Sequence, residues 1–289
     1  RLDVLTRLAA ACADASCAVS RLTRWTRAPA ASRSAPSHSA SRLYIPVTTT
    51  YLSDHNFKTS NDHLIMATVI AVLNSKGGSG KSTISTNLAG ALQLDGHSVI
   101  IADSDPQGTA RDWRQVQEEE SNLPGVVGID RPTLEKDTKE IDHAFDFIVI
   151  DGAAKLQEMI VSAVKAADVI LIPVQPSAAD IWAVSEMVEL IKTRQQITDG
   201  RPRACFVINR AIVGTNVAGE VDDAVDAYGI PILNARTHQR IAFVEALAEG
   251  STVVHSAQGS KAADEVIAIK NELLKFTHGK EEKHTVQRR

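Results

Sequence analysis

The chain has 289 residues, 44% hydrophobic and 23% charged, long enough to bury a sizeable core in one large domain or two small ones. Its formal net charge of −4 argues against a protein that coats nucleic acid through bulk positive charge, while leaving room for a local basic patch. Three cysteines, none in a C-x-x-C pair, exclude a disulfide scaffold, a zinc ribbon and thioredoxin-like chemistry, and they suit a reducing compartment. No apolar run approaches the ~18 residues of a membrane-spanning helix.

Residues 1–65 hold seven Arg, one Lys and four Asp, so they carry +4 and the remaining 224 residues carry −8. This stretch is rich in Ala, Ser, Thr and Arg, shows little sustained periodicity and starts at Arg1. Met66 then opens Met66–Leu73, the pattern of a buried strand. Three accounts fit the stretch. It is in-frame upstream sequence ahead of a protein that starts at Met66, a disordered arm too weakly patterned to offset its ordering entropy, or an Arg- and Ser-rich, acid-poor transit peptide. The first is the expectation. On any of them the fold is expected to lie after residue 65, as one domain over 66–276 with a polar tail over 277–289.

Directly after the first strand comes Asn74-Ser75-Lys76-Gly77-Gly78-Ser79-Gly80-Lys81-Ser82-Thr83, running into a helical pattern over 84–94. Strand, glycine loop and helix in that order are the setting of a phosphate-binding P-loop. Its glycines let backbone N–H groups converge on phosphate oxygens, and the helix N-terminus adds its positive dipole end. Lys81 would reach the β- and γ-phosphates and the Ser82 hydroxyl would bind Mg²⁺. Ser75 stands where the general pattern has its first Gly. A plain glycine-rich turn is the bland alternative, and Gly-Lys-Ser at a helix start argues against it.

Asp95-Gly96 stops that helix, and Ser98–Asp103 reads as a second buried strand ending in Asp103-Ser104-Asp105-Pro106-Gln107-Gly108. Two carboxylates at a strand's carboxyl end sit where open parallel sheets bind ligands; standing alone, the segment would be an Asp-Pro turn. A third strand, Phe145–Asp151, ends four hydrophobic residues in Asp151, the pattern of the second magnesium element of P-loop enzymes. Later strands fall at 168–174 and 204–210, and helical patterns at 157–167, 178–194, 216–228, 240–249 and 260–276. The alternation predicts an α/β fold of the P-loop NTPase kind, a mostly parallel twisted sheet with helices on both faces.

Lys76-Gly-Gly-Ser-Gly-Lys-Ser82 resembles the deviant Walker A motif of the ParA/MinD ATPases, which carry a second lysine near the loop's start and do not require the first Gly. Asp103-Ser-Asp-Pro-Gln-Gly108 resembles the D-x-D-P-Q-G signature of the ParA branch. The resemblance spans about 66–276 and implies a slow ATPase with ATP and Mg²⁺ as ligands. It implies that Lys76 reaches across an ATP-sandwiched homodimer to the partner's phosphates, as an arginine finger does. Gly77, Gly78, Ser79, Gly80, Lys81, Ser82 and Thr83 would cradle the nucleotide, with Thr83 on the α-phosphate. Asp105 would position the attacking water, Asp103 and Asp151 would sit near Mg²⁺, and Asn209 would read adenine.

Residues 1–65 show no paired-helix pattern, so the chain resembles the small ParA type typified by ParF. That type implies a cytoplasmic, nucleoid-associated bacterial protein that binds nonspecific double-stranded DNA and is stimulated by a small ParB- or ParG-like centromere-binding partner during plasmid or chromosome segregation. Arg236, Arg240, Lys261 and Lys270 are the candidate DNA contacts, with Arg201 and Arg203 behind them; each alone also reads as a solvated surface charge. A MinD-like membrane-associated ATPase would need an amphipathic C-terminal anchor, and the tail after Phe276 is polar, so no membrane partner is expected. A relative of the nitrogenase iron subunit would need cluster cysteines, and a bacterial tyrosine kinase a C-terminal tyrosine cluster. A nonenzymatic module on the same fold would have little use for Lys76 and Asp105 together.

Overall fold

The structure is a computed structural model and describes residues 66–118, 121–212, 224–225 and 227–278. Six strands form one parallel sheet: β1 Thr68–Val72, β2 Val99–Asp103, β3 Gly125–Gly128, β4 Phe147–Asp151, β5 Val169–Val174 and β6 Arg203–Ile208. Their order is β3-β2-β4-β1-β5-β6, which puts β1 at the centre. Both faces are covered. Val69 and Ala71 of β1 join one core with Leu134, Met159, Ala163 and Val188, while Ile70 and Val72 join the other with Leu88, Leu92, Trp113 and Leu273. The near-continuous apolar runs of β1, β4 and β5, broken only by Thr68 at the start of β1 and Asp151 at the end of β4, are what a strand sandwiched between two helical layers demands.

Among the described residues, α-helices run, in chain order, α1 Lys81–Leu94, α2 Thr109–Gln115, α3 Leu134–Ile141, α4 Gln157–Ala166, α5 Ala178–Trp182, α6 Ser185–Ile197, α7 Ile241–Ala248, α8 Val253–Ser256 and α9 Lys261–His278. α1, α2 and α9 pack on one face, and α3, α4 and α6 on the other. The α/β reading of the sequence therefore holds, and all six described strands are parallel.

Some boundaries differ. The helix expected over 178–194 is two, α5 and α6. Ser177 caps α5 by accepting the Asp180 N–H at 3.2 Å, and the Ala183 carbonyl at the junction takes the Ser75 hydroxyl at 2.6 Å. A tertiary contact with the glycine loop thus holds a break that the local pattern bridges. β3 is Gly-Val-Val-Gly at the sheet edge, too short and half-exposed to show as an apolar run. Of the thirteen positions of the helix expected over 216–228, nine lie outside the described residues.

Candidate functional site

Parallel strands put every carboxyl end on one edge, so the topology gathers the motifs before any side chain is considered. Val72 is level with Asp151, and Asp151 with Asp103. The glycine loop after β1, the Asp103–Gly108 loop after β2 and the turn after β4 meet around a cavity of about 750 Å³. Lys81, Ser82, Thr83, Asp105, Lys155 and Arg210 line it. A cavity of about 770 Å³ between α3 and α4 shares none of these residues and is lined by lysines and glutamates that pair along one helix, such as Lys139 with Glu135. Convergent phosphate-binding and acidic groups, rather than volume, identify the first as the site.

The loop is held from outside. Asn74 is buried, donates to the Pro173 carbonyl at 2.7 Å, and accepts the Lys76 N–H at 2.7 Å. Gly80 takes a left-handed φ of 94° to start α1, and any Cβ there would collide with the Asn209 amide. Lys81 is buried, with its ammonium 3.3 Å from the Lys76 carbonyl. Burial pushes its pKa down, and the Asp151 and Asp105 carboxylates oppose that shift. The Ser79 hydroxyl is buried with no hydrogen-bond partner among the described residues.

The three carboxylates differ in what they have left to give. Asp151 accepts the Ser85 hydroxyl at 3.1 Å through Oδ1, while buried Oδ2 has no partner among the described residues. Burial is the main cause that pushes its carboxyl up to about 7; the Asp103 charge adds to the shift, and the Ser82 and Ser85 hydroxyls and Lys81 oppose it. A buried, unsatisfied carboxylate oxygen facing a serine hydroxyl is a hard-oxygen donor set that suits a divalent cation. Asp103 is fully buried, and burial raises its pKa too. Its oxygens are already engaged: Oδ1 accepts the Asp105 N–H at 3.0 Å, and Oδ2 accepts the Arg111 N–H at 3.0 Å and its Nε at 3.3 Å. Asp103 thus spends both oxygens in part on holding the turn, whereas Asp151 Oδ2 is spent on none of the described residues. Asp105 is half-buried and accepts the Gln107 N–H at 3.0 Å.

Lys76 points at α5. Its ammonium lies 2.9 Å from Asp180 Oδ2, which also accepts the Ser177 hydroxyl at 2.7 Å. The lysine side chain is 41% exposed, whereas Asp180 is buried and its Oδ1 has no partner among the described residues. No sequence signal singled out Asp180; its serine three residues upstream reads as an ordinary helix cap.

Asn209 does not offer its amide to a base. It is 3% exposed, donates to the Ser79 carbonyl at 2.7 Å and accepts the Thr237 hydroxyl at 2.6 Å, so it braces the loop from beneath. Its neighbour Arg210, at a left-handed φ of 58°, reaches the Gly78 carbonyl at 3.4 Å and lines the cavity, a role the sequence did not suggest.

The basic candidates separate. Lys270 is 4% exposed and paired with Asp95, so it is not a DNA contact. Arg240 is half-buried and held by Glu265 through Nε at 3.1 Å, a carboxylate that also accepts the His238 N–H at 3.0 Å, so its charge is paired within the chain. Arg203 stacks on Phe276 at 4.4 Å, and Arg201 lies 3.7 Å from Asp168. Lys261 is exposed at the start of α9, and Arg236 bonds the Asn234 carbonyl at 3.3 Å.

A central strand feeding a Gly-Lys-Ser loop, with carboxylates from the neighbouring strands level with it, defines a P-loop nucleotide-binding protein. The chain belongs to the CobQ/CobB/MinD/ParA nucleotide binding domain family, which it matches over residues 70–253. It is 32% identical over 212 residues to the maintenance of carboxysome distribution protein A of Halothiobacillus neapolitanus, covering 72% of this chain and 97% of that protein. It is 26% identical over 206 residues to protein ParA of Rhizobium radiobacter, covering 70% of this chain and 91% of that protein. Among solved structures, the MinD cell division protein of Aquifex aeolicus shares the fold at a TM-score of 0.60 and 21% identity, covering 72% of this chain and 97% of that one.

Proposed function

We propose that this protein is an ATPase of the ParA type that uses an ATP-bound homodimer to bind nonspecific DNA and distribute a cargo, with hydrolysis stimulated by a small partner. The observation that carries the reading is the pair of lysines on one loop. Lys81 is buried over the cavity, whereas Lys76 is half-exposed and held away from it by Asp180. A single-subunit ATPase has no need of the second. In a dimer, Lys76 would leave Asp180 and bring its charge to the phosphates bound by the other copy. Trp182, 72% exposed and two residues beyond Asp180, supplies apolar surface for such a contact.

Within one subunit the backbone of Gly77–Gly80 and the start of α1 would cradle the phosphates, and Lys81 would neutralise them. Ser82 and Asp151 Oδ2 would hold Mg²⁺, which would supply positive charge against the phosphate charge that develops during hydrolysis. Asp105 would orient the attacking water from the other side of the cavity. Lys261 and Arg236 are the proposed DNA contacts, consistent with an acidic chain that binds phosphates through a few residues per subunit of a dimer.

Binding of the full chain to labelled duplex DNA of arbitrary sequence, followed by fluorescence anisotropy with Mg²⁺, tests the reading. Binding with a slowly hydrolysed ATP analogue, absent with ADP and weakened by salt, is expected. Nucleotide-dependent dimerisation without DNA binding would replace DNA with another surface, and liposomes would be tried next.

A further inference from the structure

We infer that Arg111 is a positioning residue for hydrolysis, fixing the backbone on which Asp105 presents its carboxylate. The inference rests on the proposed water-orienting role of Asp105.

Asp105 sits on a five-residue loop, Ser104–Gly108, between β2 and α2, where the Gly108 N–H closes a turn on the Asp105 carbonyl at 2.9 Å. Side chains pin its peptides further, on both sides. Asp103 Oδ1 accepts the Asp105 N–H at 3.0 Å, and Arg111 Nη2 donates to the Asp105 carbonyl at 2.8 Å. Asp103 Oδ2 in turn accepts both the backbone N–H and the Nε of Arg111, at 3.0 and 3.3 Å. Three residues thus close a ring around one loop. Only a planar fork spans it, because Nε and Nη2 of one guanidinium face a carboxylate and a carbonyl at once; a lysine ammonium presents no such fixed pair.

A second observation points the same way. Gly128, level with Asp103 on β3, has no left-handed φ, so its backbone does not require glycine. A Cβ there would stand 3.1 Å from Arg111 Cδ, and one on Gly108 would stand 3.1 Å from Arg111 Nη2. The arginine occupies a slot whose walls lack side chains on the strand side and the loop side. Gly125, at the other end of the same strand, has nothing within 4 Å of its Cβ position and serves as the control.

Displacing a catalytic group by about 1 Å costs on the order of 100-fold in rate. Arg111→Ala is therefore expected to lower kcat by about 10- to 100-fold, with the affinity for a slowly hydrolysed ATP analogue held within about twofold, and millimolar guanidinium is expected to restore part of the rate. Gly128→Ala, which nudges the arginine without removing it, should lower kcat a few-fold, and Gly125→Ala should leave it unchanged. If affinity and melting temperature fall together with kcat and guanidinium restores nothing, Arg111 is a structural strut and the inference is wrong. Asp105→Ala is assayed beside it. Hydrolysis retained by that variant removes the water-orienting role itself, whereas an inactive Asp105→Ala beside a normal Arg111→Ala overturns only the inference about Arg111.

Discussion

The carboxyl edge of the sheet and the face of α9 carry similar charged residues and treat them in opposite ways. At the edge, Asp151 Oδ2 and the Ser79 hydroxyl are buried without partners, and Lys81 is buried where desolvation works against its charge. Along α9, Lys270 is matched by Asp95, Glu265 by Arg240 and His238, and Glu272 by the Asn234 and Ala235 N–H groups at 2.9 and 2.8 Å. Leaving a buried polar group unsatisfied costs stability, so the edge is tolerated only if a ligand completes it, while Glu265, Lys270 and Glu272 of α9 are matched already. A charged residue becomes a site through what its neighbours fail to supply.

Substitutions can break this contrast, and the largest effect belongs to the edge. Lys81→Ala should reduce ATP-analogue affinity by more than about 100-fold, read by calorimetry, because it removes the buried cation that faces the phosphates. Near-normal affinity would show that the edge is not built for phosphate. Asp105→Ala should bind the analogue normally and lose about 100- to 1,000-fold in kcat, with the ATP dimer accumulating in size-exclusion chromatography.

Asp151→Asn sharpens the contrast further, because it should trade function for stability. The folded pKa of about 7 lies above the ordinary 3.8, so the folded state holds this proton more tightly than the unfolded one. Its contribution to stability is full below the ordinary value and is lost as pH rises through about 7. Without nucleotide or Mg²⁺, the asparagine variant should therefore be more stable than the wild type by about 1–3 kcal/mol at pH 8. The gap should close as the pH is lowered toward 4, while hydrolysis is lost throughout. A variant less stable at pH 8 in urea melts would mean that Asp151 is satisfied after all.

On the α9 side the expected signs reverse. Asp95→Ala strands the buried Lys270 ammonium and should cost about 2 kcal/mol in urea unfolding, with DNA affinity unchanged. Lys261→Ala, at an exposed position, should leave stability alone and lower the slope of log affinity against log salt for DNA by about one. If Asp95→Ala weakened DNA binding at unchanged stability, the pairing that removes Lys270 from the DNA surface would be refuted.

Much of this protein is determined by sequence alone, because its strongest signals are local. A buried apolar strand, a glycine loop and a helix start are contiguous, so Lys76, Lys81, Ser82 and the class of fold can be read from residues 66–94. Strand ends at Asp103 and Asp151 follow from runs of apolar residues that close on a carboxylate. The tertiary structure decided everything that depends on partners distant in the chain. Asn209 and Ser79 are 130 residues apart, Lys270 and Asp95 are 175, and Lys76 and Asp180 are 104. No periodicity carries such distances. Whether a buried charge is spent on a neighbour or kept for a ligand is settled by desolvation and hydrogen-bond satisfaction, which exist only once the chain has folded.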